Sequence, residues 1–288
     1  MRRSSVPWSR ASRPAADSLV GILPEYGHSQ VECQQECCWT VGIFLFMDSQ
    51  IPAGWVRADF HSHTCHSHDG FQTPRELVAR ARVVQLDRIA VTDHHTLDGA
   101  LRARDLDPER IIIGEEITTR CGIDVIGLYL GTRVAPRLPL ERVVDEIRDQ
   151  GGIVYLPHPF AYLTSARQRV ERAVPLADII EVRNSRAFYR PWNRRAMELV
   201  RARRLPGAAG SDGHFSFELG RAMTVLPSFC DATSLKRAVA HAEARHDGRT
   251  YVMPHVGSVA CMLLSRAMRR SIRREAHLPA RGVEERNQ

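Results

Sequence analysis

Two histidines, His61 and His63, stand at i and i+2 after a short apolar-leaning run, Trp55-Val56-Arg57-Ala58. Side chains on an extended segment alternate faces, so both imidazoles point the same way. Two imidazoles converging from one strand end are the beginning of a metal site. Asp69 lies six residues past His63 and can return to the same place through the loop His66-Ser67-His68. Taken alone, the pair is equally compatible with a His-rich surface loop. The rest of the chain decides between the two.

From Val56 onward, strand-like and helix-like segments alternate. Thr73-Pro74-Arg75-Glu76 reads as a helix start, with Thr as N-cap, Pro at the first helical position and Glu at the third. Short apolar runs predict strands over Arg88–Thr92, Ile111–Gly114, Asp124–Tyr129, Ile153–Leu156, Asp178–Val182, Gly207–Gly210 and Met223–Leu226. Periodicity predicts helices over Leu97–Asp105, Pro139–Gln150, Ser165–Ala173, Pro191–Arg203 and Ala232–Arg245. Repeated strand–helix units imply a mostly parallel α/β fold. No Gly-x-Gly-x-x-Gly follows the first strand and no phosphate-binding P-loop is present, so a barrel fits better than an open nucleotide-binding sheet. His61/His63, Asp93/His94, Glu116, His158 and Asp212/His214 all fall where a predicted strand ends. In a (β/α) barrel that C-terminal rim is where active sites are built.

The candidate ligands are His61, His63, Asp69, His94, Glu116, Asp124, His158, Asp212 and His214. Mixed imidazole and carboxylate donors suit Mn, Zn or Fe. One ion needs about four such ligands, so this set implies two or three divalent ions, with Glu116 placed to bridge. Clustered divalent ions bind phosphate oxygens, generate a hydroxide at neutral pH and stabilise a leaving oxygen, which points to phosphate-ester hydrolysis.

The set Asp59-x-His61-x-His63-Thr64, Thr92-Asp93-His94, Gly114-x-Glu116, His158-Pro159 and Gly210-Ser211-Asp212-x-His214 resembles the PHP (polymerase and histidinol phosphatase) family of metal-dependent phosphoesterases. The resemblance spans roughly residues 56–226 and rests on five ordered motifs. It implies a distorted (β/α)7 TIM-like barrel with a trinuclear metal centre at the C-terminal rim. His61, His63, Glu116 and Asp212 would hold one metal and carry the catalysis. Glu116 and His158 would reach a second, and Asp69, His94 and His214 would hold the third. Asp124 departs from the pattern, since many relatives have a ligating His there, and its shorter reach puts the second metal in question. The loop before Asp69 is one residue longer than the commonest form, so His66 or His68 could compete for the third metal. The resemblance implies a hydrolase of phosphoric esters, with a 5′-3′ exonuclease or nucleotide phosphatase as the finer expectation. The alternatives are a histidinol-phosphate-type small-molecule phosphatase and a non-catalytic metal-bound module. A metal-dependent amidohydrolase is disfavoured because Lys236, the sole Lys, follows all the motifs.

Other residues receive weaker roles. Arg183, Asn184 and Arg186 follow a strand end and could hold substrate phosphate or sugar, as could Arg167; surface salt bridging is the alternative. Asp93 and His95 are expected to orient His94. Cys65 reads as a packed small residue, and Glu115 as structural on the opposite strand face.

The net charge is +7, and the two chain ends supply it. Residues 1–14 and the stretch Arg266–Arg286 are both strongly basic, whereas the middle is near neutral, which weakens the case for a nucleic-acid-binding body. The expected substrate is a phosphorylated small molecule or a nucleic-acid end; neither a membrane nor an obligate protein partner is indicated. Seven scattered or clustered Cys form no secreted disulfide framework, so a cytoplasmic setting is expected. The organisation predicted is an extension over 1–46 without clear periodicity, a barrel over 47–254, and a basic helix and tail over 255–288. Met47 offers an alternative start.

Overall fold

The computed structural model describes residues 51–161, 166–187 and 189–246, without the side chains of 166, 167 and 246. The expected extension over 1–46 and basic tail over 255–288 lie outside the described residues, as does the side chain of Arg167.

The strands are β1 (Trp55–Asp59), β2 (Arg88–Val91), β3 (Ile111–Thr118), β4 (Asp124–Leu128), β5 (Ile153–Leu156), β6 (Ile179–Asn184), β7 (Gly207–Gly210), β8 (Ala222–Pro227) and β9 (Glu243–His246). Between them lie α1 (Pro74–Val83), α2 (Asp98–Leu106), α3 (Leu140–Asp149), α4 (Ala166–Ala173), α5 (Pro191–Arg203) and α6 (Ala232–Ala238). The α1 start is the predicted capping box: the Glu76 backbone N–H donates to Thr73, and Glu76 accepts from the Thr73 backbone. Helix α3 buries Leu140, Val143, Val144 and Ile147, the face read from its periodicity.

The strands form one sheet in the order β7-β6-β5-β4-β3-β2-β1-β8-β9. It rolls into a nearly closed α/β barrel. At the seam, the Ala209 N–H of β7 donates to Thr224 Oγ1 of β8 at 2.8 Å, and the same hydroxyl lies 3.2 Å from the Ala209 carbonyl. One threonine side chain thus bridges strands that share no ladder.

The sheet is mixed, which corrects the mostly parallel expectation. Parallel pairing joins β1 to β2, β2 to β3, β5 to β6 and β6 to β7. Strand β4 is antiparallel to both β3 and β5, and β8 is antiparallel to β1 and β9. Residues 119–123 are too few for a crossover helix, so β3 and β4 must form a hairpin. The expected helix over Ala232–Arg245 is also corrected: α6 stops at Ala238, a single 3-10 turn spans Val239–His241, and β9 pairs with β8. Sheet pairing overrides the helix propensity of Glu243-Ala244-Arg245.

Strand alternation sorts the core into two layers. Ala58, Ala90, Ile112, Ile126, Leu128, Ile153, Tyr155, Ile179 and Ala208 pack together on one side. Ile117, Val125, Val154, Leu156, Ile180 and Val182 pack with α3, α4 and α5 on the other. Glu116 and Glu181 have the strand parity of the first group. They therefore stand on the barrel's inner side at the rim.

Candidate metal centre

The rim is fastened by backbone hydrogen bonds before any side chain acts. The Thr92 N–H donates to Ser62 O at 2.8 Å, the His63 N–H to Gly213 O at 2.9 Å, and the Asp212 N–H to His61 O at 2.8 Å. His94 bridges Glu116 in parallel fashion, extending β3 past the predicted end at Gly114. Buried Gln72 donates to both His63 O and Gly213 O, locking the motif loop to the loop after β7.

Carboxylate–hydroxyl pairing sets the rest. Asp93 accepts from the Thr64 N–H and the Thr64 hydroxyl, both at 2.5 Å. The expectation that Asp93 orients His94 is therefore corrected: it anchors the motif loop. A Cβ at Gly99 would run into Asp93 Oδ2 and Thr64 Oγ1, so α2 can approach this pair only with glycine there. His95 packs its ring 5.8 Å from that of His94 and donates its N–H to Glu116 O at 3.1 Å. Asp59 accepts from the Ser211 N–H at 2.8 Å and the His61 N–H at 3.2 Å. Burial pushes its carboxyl up to about 6 despite those bonds.

Eight of the nine candidate ligands converge: His61, His63, Asp69, His94, Glu116, His158, Asp212 and His214. They fall into overlapping groups whose donor atoms lie within 4.8 Å of one another. Glu116 is at the centre. Its Oε2 lies 3.1 Å from His61 Nε2, 3.2 Å from His63 Nε2 and 3.6 Å from His94 Nε2. Its Oε1 lies 3.2 Å from His158 Nε2. Asp212 Oδ1 lies 3.4 Å from His63 Nε2 and 3.6 Å from His61 Nε2. Asp69 Oδ2 lies 2.9 Å from His214 Nε2 and 3.4 Å from His94 Nε2.

Between the alternatives left open in the motif loop, the geometry distinguishes His68 from His66. His68 joins a group with Asp69 and His94, its ring 4.7 Å from that of His94. His66 belongs to no such group among the described residues. Asp124 also belongs to none, although β4 runs antiparallel and so begins at the rim. Burial and the Glu116 carboxylate push its carboxyl up.

Electrostatics show what the cluster demands. Burial alone would lower the His63 imidazole, but Asp212 and Glu116 outweigh it and raise the group to about 10. His158 is raised to about 9 against burial by Glu116 and Asp212. Burial works equally against the Glu116 and Asp212 carboxylates, yet the surrounding imidazoles hold both well below the usual carboxylate range. His61 Nε2 and His63 Nε2 face each other at 3.1 Å between these two carboxylates. Two ring nitrogens so close need a proton or a metal ion between them. Imidazole and carboxylate donors gathered this way fit borderline divalent ions.

Several residues hold the clustered side chains in roles that were not foreseen. Glu181 Oε1 lies 3.2 Å from His61 Nδ1 and accepts from the Tyr155 hydroxyl at 3.1 Å. Glu181 Oε2 accepts from Asn184 Nδ2 at 2.9 Å. Carboxylate–imidazole pairing of this kind fixes the ring and makes Nδ1 the protonated nitrogen, leaving Nε2 to face the cluster. The signal was available: an acid within Ile179-Ile180-Glu181-Val182 must be partnered if that strand is buried. Asn184 Nδ2 also reaches Asp212 Oδ2 at 3.2 Å, and its Oδ1 accepts from the Arg186 and Ala187 N–H groups. Its hydrogen-bonding capacity is thus used within the protein, which supports positioning over substrate contact. Arg186 is buried, with Nη1 2.9 Å and 3.0 Å from the two Glu218 oxygens. Glu218 Oε2 in turn accepts from the His214 and Phe215 N–H groups. Arg183 is exposed on β6. Cys65 is buried as expected. Glu115 is buried on the opposite face, accepting from the Val134 N–H at 2.8 Å.

The backbone adopts left-handed conformations at His158 (φ 52°) and Asp212 (φ 53°). Neither residue is glycine, and such positions cost of order 1–3 kcal/mol each. Two members of the cluster are therefore held in place at the expense of backbone strain.

Fold and site together define an α/β barrel whose rim gathers donors for divalent metal ions. The chain matches the PHP domain family over residues 59–144 and the PHP-associated family over residues 190–238. It is 31% identical over 124 residues to the uncharacterized protein MJ1587 of Methanocaldococcus jannaschii, covering 38% of this chain and 72% of that one. It is 31% identical over 173 residues to MJ0417 of the same organism, covering 58% and 69%. The chain belongs to the PHP family. Two solved structures share the fold. One, from Bacteroides vulgatus, is a two-domain protein described as containing a "predicted PHP-like metal-dependent phosphoesterase"; it has a TM-score of 0.51 at 20% identity and covers 68% of this chain and 67% of that one. The other is PsfC from Pseudomonas syringae, with a TM-score of 0.54 at 18% identity, covering 72% and 99%. Among the described residues, no helix is long and apolar enough to cross a membrane.

Proposed function

We propose that this protein hydrolyses phosphate esters with two or three divalent ions, Mn, Zn or Fe, held at the barrel rim. The observation that carries the reading is the position of Glu116, whose two oxygens face His61, His63, His94 and His158. His61, His63, Glu116 and Asp212 would hold one ion, and Glu116 with His158 would reach a second. Asp69, His94 and His214 would hold a third, with His68 beside them. When bound, such ions polarise a phosphoryl oxygen, lower the pKa of water and offset the charge on a leaving oxygen.

The chain's own residues prepare the site for this. Glu181 keeps the His61 proton on Nδ1, and the Asp212 carbonyl accepts from His214 Nδ1 at 2.8 Å, so both rings turn Nε2 to the cluster. Asn184 holds Asp212 from behind. His61, His63 and Glu116 are almost fully buried, so water and phosphate must arrive from the side of His68, Asp69, His94, His158 and Asp212, which are more open. Exposed Arg183 is available to contact the substrate's anionic portion. The finer reading is a substrate with a nucleic-acid end or a nucleotide, with a small phosphorylated metabolite as the alternative.

Assays with bis(p-nitrophenyl) phosphate, p-nitrophenyl phosphate and 5′-phosphorylated oligonucleotides test this on protein loaded in turn with Mn, Zn and Fe. Turnover of at least one ester is expected, and its loss on chelation. Metal-loaded protein that turns over none of them would refute the hydrolytic reading in favour of a non-catalytic metal-bound module.

A further inference from the structure

His158 and Asp212, the two cluster members with left-handed backbones, lie on different loops. Residues in such conformations persist only where their surroundings over-determine them. Asp212 is held through Asn184, whose Nδ2 donates to Asp212 Oδ2 at 3.2 Å. His158 is followed by buried Pro159 and half-buried Phe160, and Phe160 packs against the outer core layer.

Both supports lead back to the start of α5. Strand β5 pairs with β6 only as far as Leu156 and Ile180, and the chain then turns away through Pro157 and His158. Strand β6 runs four residues further, to Asn184, with no strand on that side among the described residues. Gly210 O of β7 takes the Ser185 N–H, so the Asn184 N–H and carbonyl face the side that β5 has left. Asn184 is 2% exposed, and buried backbone groups need partners. Asn193 of α5 supplies both. Its Nδ2 donates to Asn184 O at 2.9 Å, and its Oδ1 accepts from the Asn184 N–H at 3.1 Å. One amide side chain thus stands in for the missing strand. Two residues further along the helix, the Arg195 guanidinium lies 5.6 Å from the centroid of the Phe160 ring, a cation–π contact.

We propose that the first turns of α5 brace the two strained members of the metal centre, Asn193 acting on Asp212 through Asn184 and Arg195 acting on His158 through Phe160. Asn193 and Arg195 are positioning residues, since each reaches the cluster only through another side chain. The inference rests on the metal-centre reading above and is independent of the reaction catalysed there.

The test is chelator competition on full-length protein loaded with Mn, Zn or Fe, with the retained ions counted by elemental mass spectrometry. The chelator concentration that removes half of the ions should be about ten-fold lower in Asn193→Ala than in the native protein. It should be about three-fold lower in Arg195→Ala, and near native in Arg195→Lys, which keeps the cation over the ring. Val200→Ala is the control, since Val200 is buried later in the same helix, away from Asn193 and Arg195 in sequence. It should lower the melting temperature and leave ion retention unchanged. Native retention in Asn193→Ala or Arg195→Ala would overturn the brace while leaving the metal centre intact. So would a loss in Val200→Ala as large as theirs. Native protein that retains none of the three metals would overturn the metal-centre reading and this inference with it.

Discussion

Glu181 Oε1 lies 3.2 Å from His61 Nδ1, while Glu116 Oε2 lies 3.1 Å from Nε2 of the same ring. One buried imidazole is thus gripped at both nitrogens by carboxylates from two strands. Outer carboxylates of this kind typically change metal affinity or activity 10–100-fold. Glu181→Ala should weaken Mn binding by about that range, and Glu181→Gln, which can still accept from Nδ1, should recover part of the loss. The Mn dissociation constant checks this, with the melting temperature measured alongside. A fall in melting temperature with unchanged Mn affinity would leave Glu181 a merely structural role.

Arg186 and Glu218 form a buried pair that sets the backbone of His214. Removing one member of a buried pair costs about 3–5 kcal/mol, because the other charge is left uncompensated. Arg186→Met should therefore lower stability by roughly that amount. The double change Arg186→Met with Glu218→Gln should be less damaging than the single one, since no bare carboxylate remains. Urea midpoints of the two variants decide this.

Glu115 gives a pH dependence with a definite sign. Burial pushes its carboxyl up to about 7 from an ordinary value of 4.5, against the lowering effect of the Val134 N–H and Arg133. A raised folded-state pKa means the protonated form is favoured by folding. That contribution is complete below 4.5 and is lost as the pH rises through about 7. Glu115→Gln carries no charge at any pH and keeps an acceptor for Val134. Its melting temperature relative to the native protein should therefore be higher at pH 8 than at pH 5. The same difference at both pH values would contradict the assignment.

Most of the clustered residues were readable because they sit where a short apolar run gives way to His, Asp or Glu; Asp69, inside the motif loop, is the exception. Glu116 showed how far that logic goes. It reads as lying just past the strand Ile111–Gly114, yet β3 continues to Thr118 because β4 pairs along its whole length. Strand direction was less accessible. The five residues between Thr118 and Asp124 exclude a crossover, but repeated alternation further along pointed to parallel pairing. Glu243-Ala244-Arg245 has the composition of a helix and becomes a strand only because the edge of β8 is there to receive it. The outer supports were hardest to see. Asp93 adjoins His94 in sequence but turns to Thr64, and Glu181 reaches His61 across 120 residues. Local sequence carries no information about such contacts until the barrel closes.

The decisive measurement is the metal content of purified native protein and of Glu116→Gln, determined by elemental mass spectrometry on samples loaded with Mn and freed of excess. Glu116 offers both oxygens to four imidazoles, and the neutral amide cannot do so as an anion. The native chain should retain two or three ions, and the variant should lose at least one together with phosphoesterase turnover, its circular dichroism unchanged. A variant that keeps the native metal content and native turnover would contradict a centre organised around Glu116.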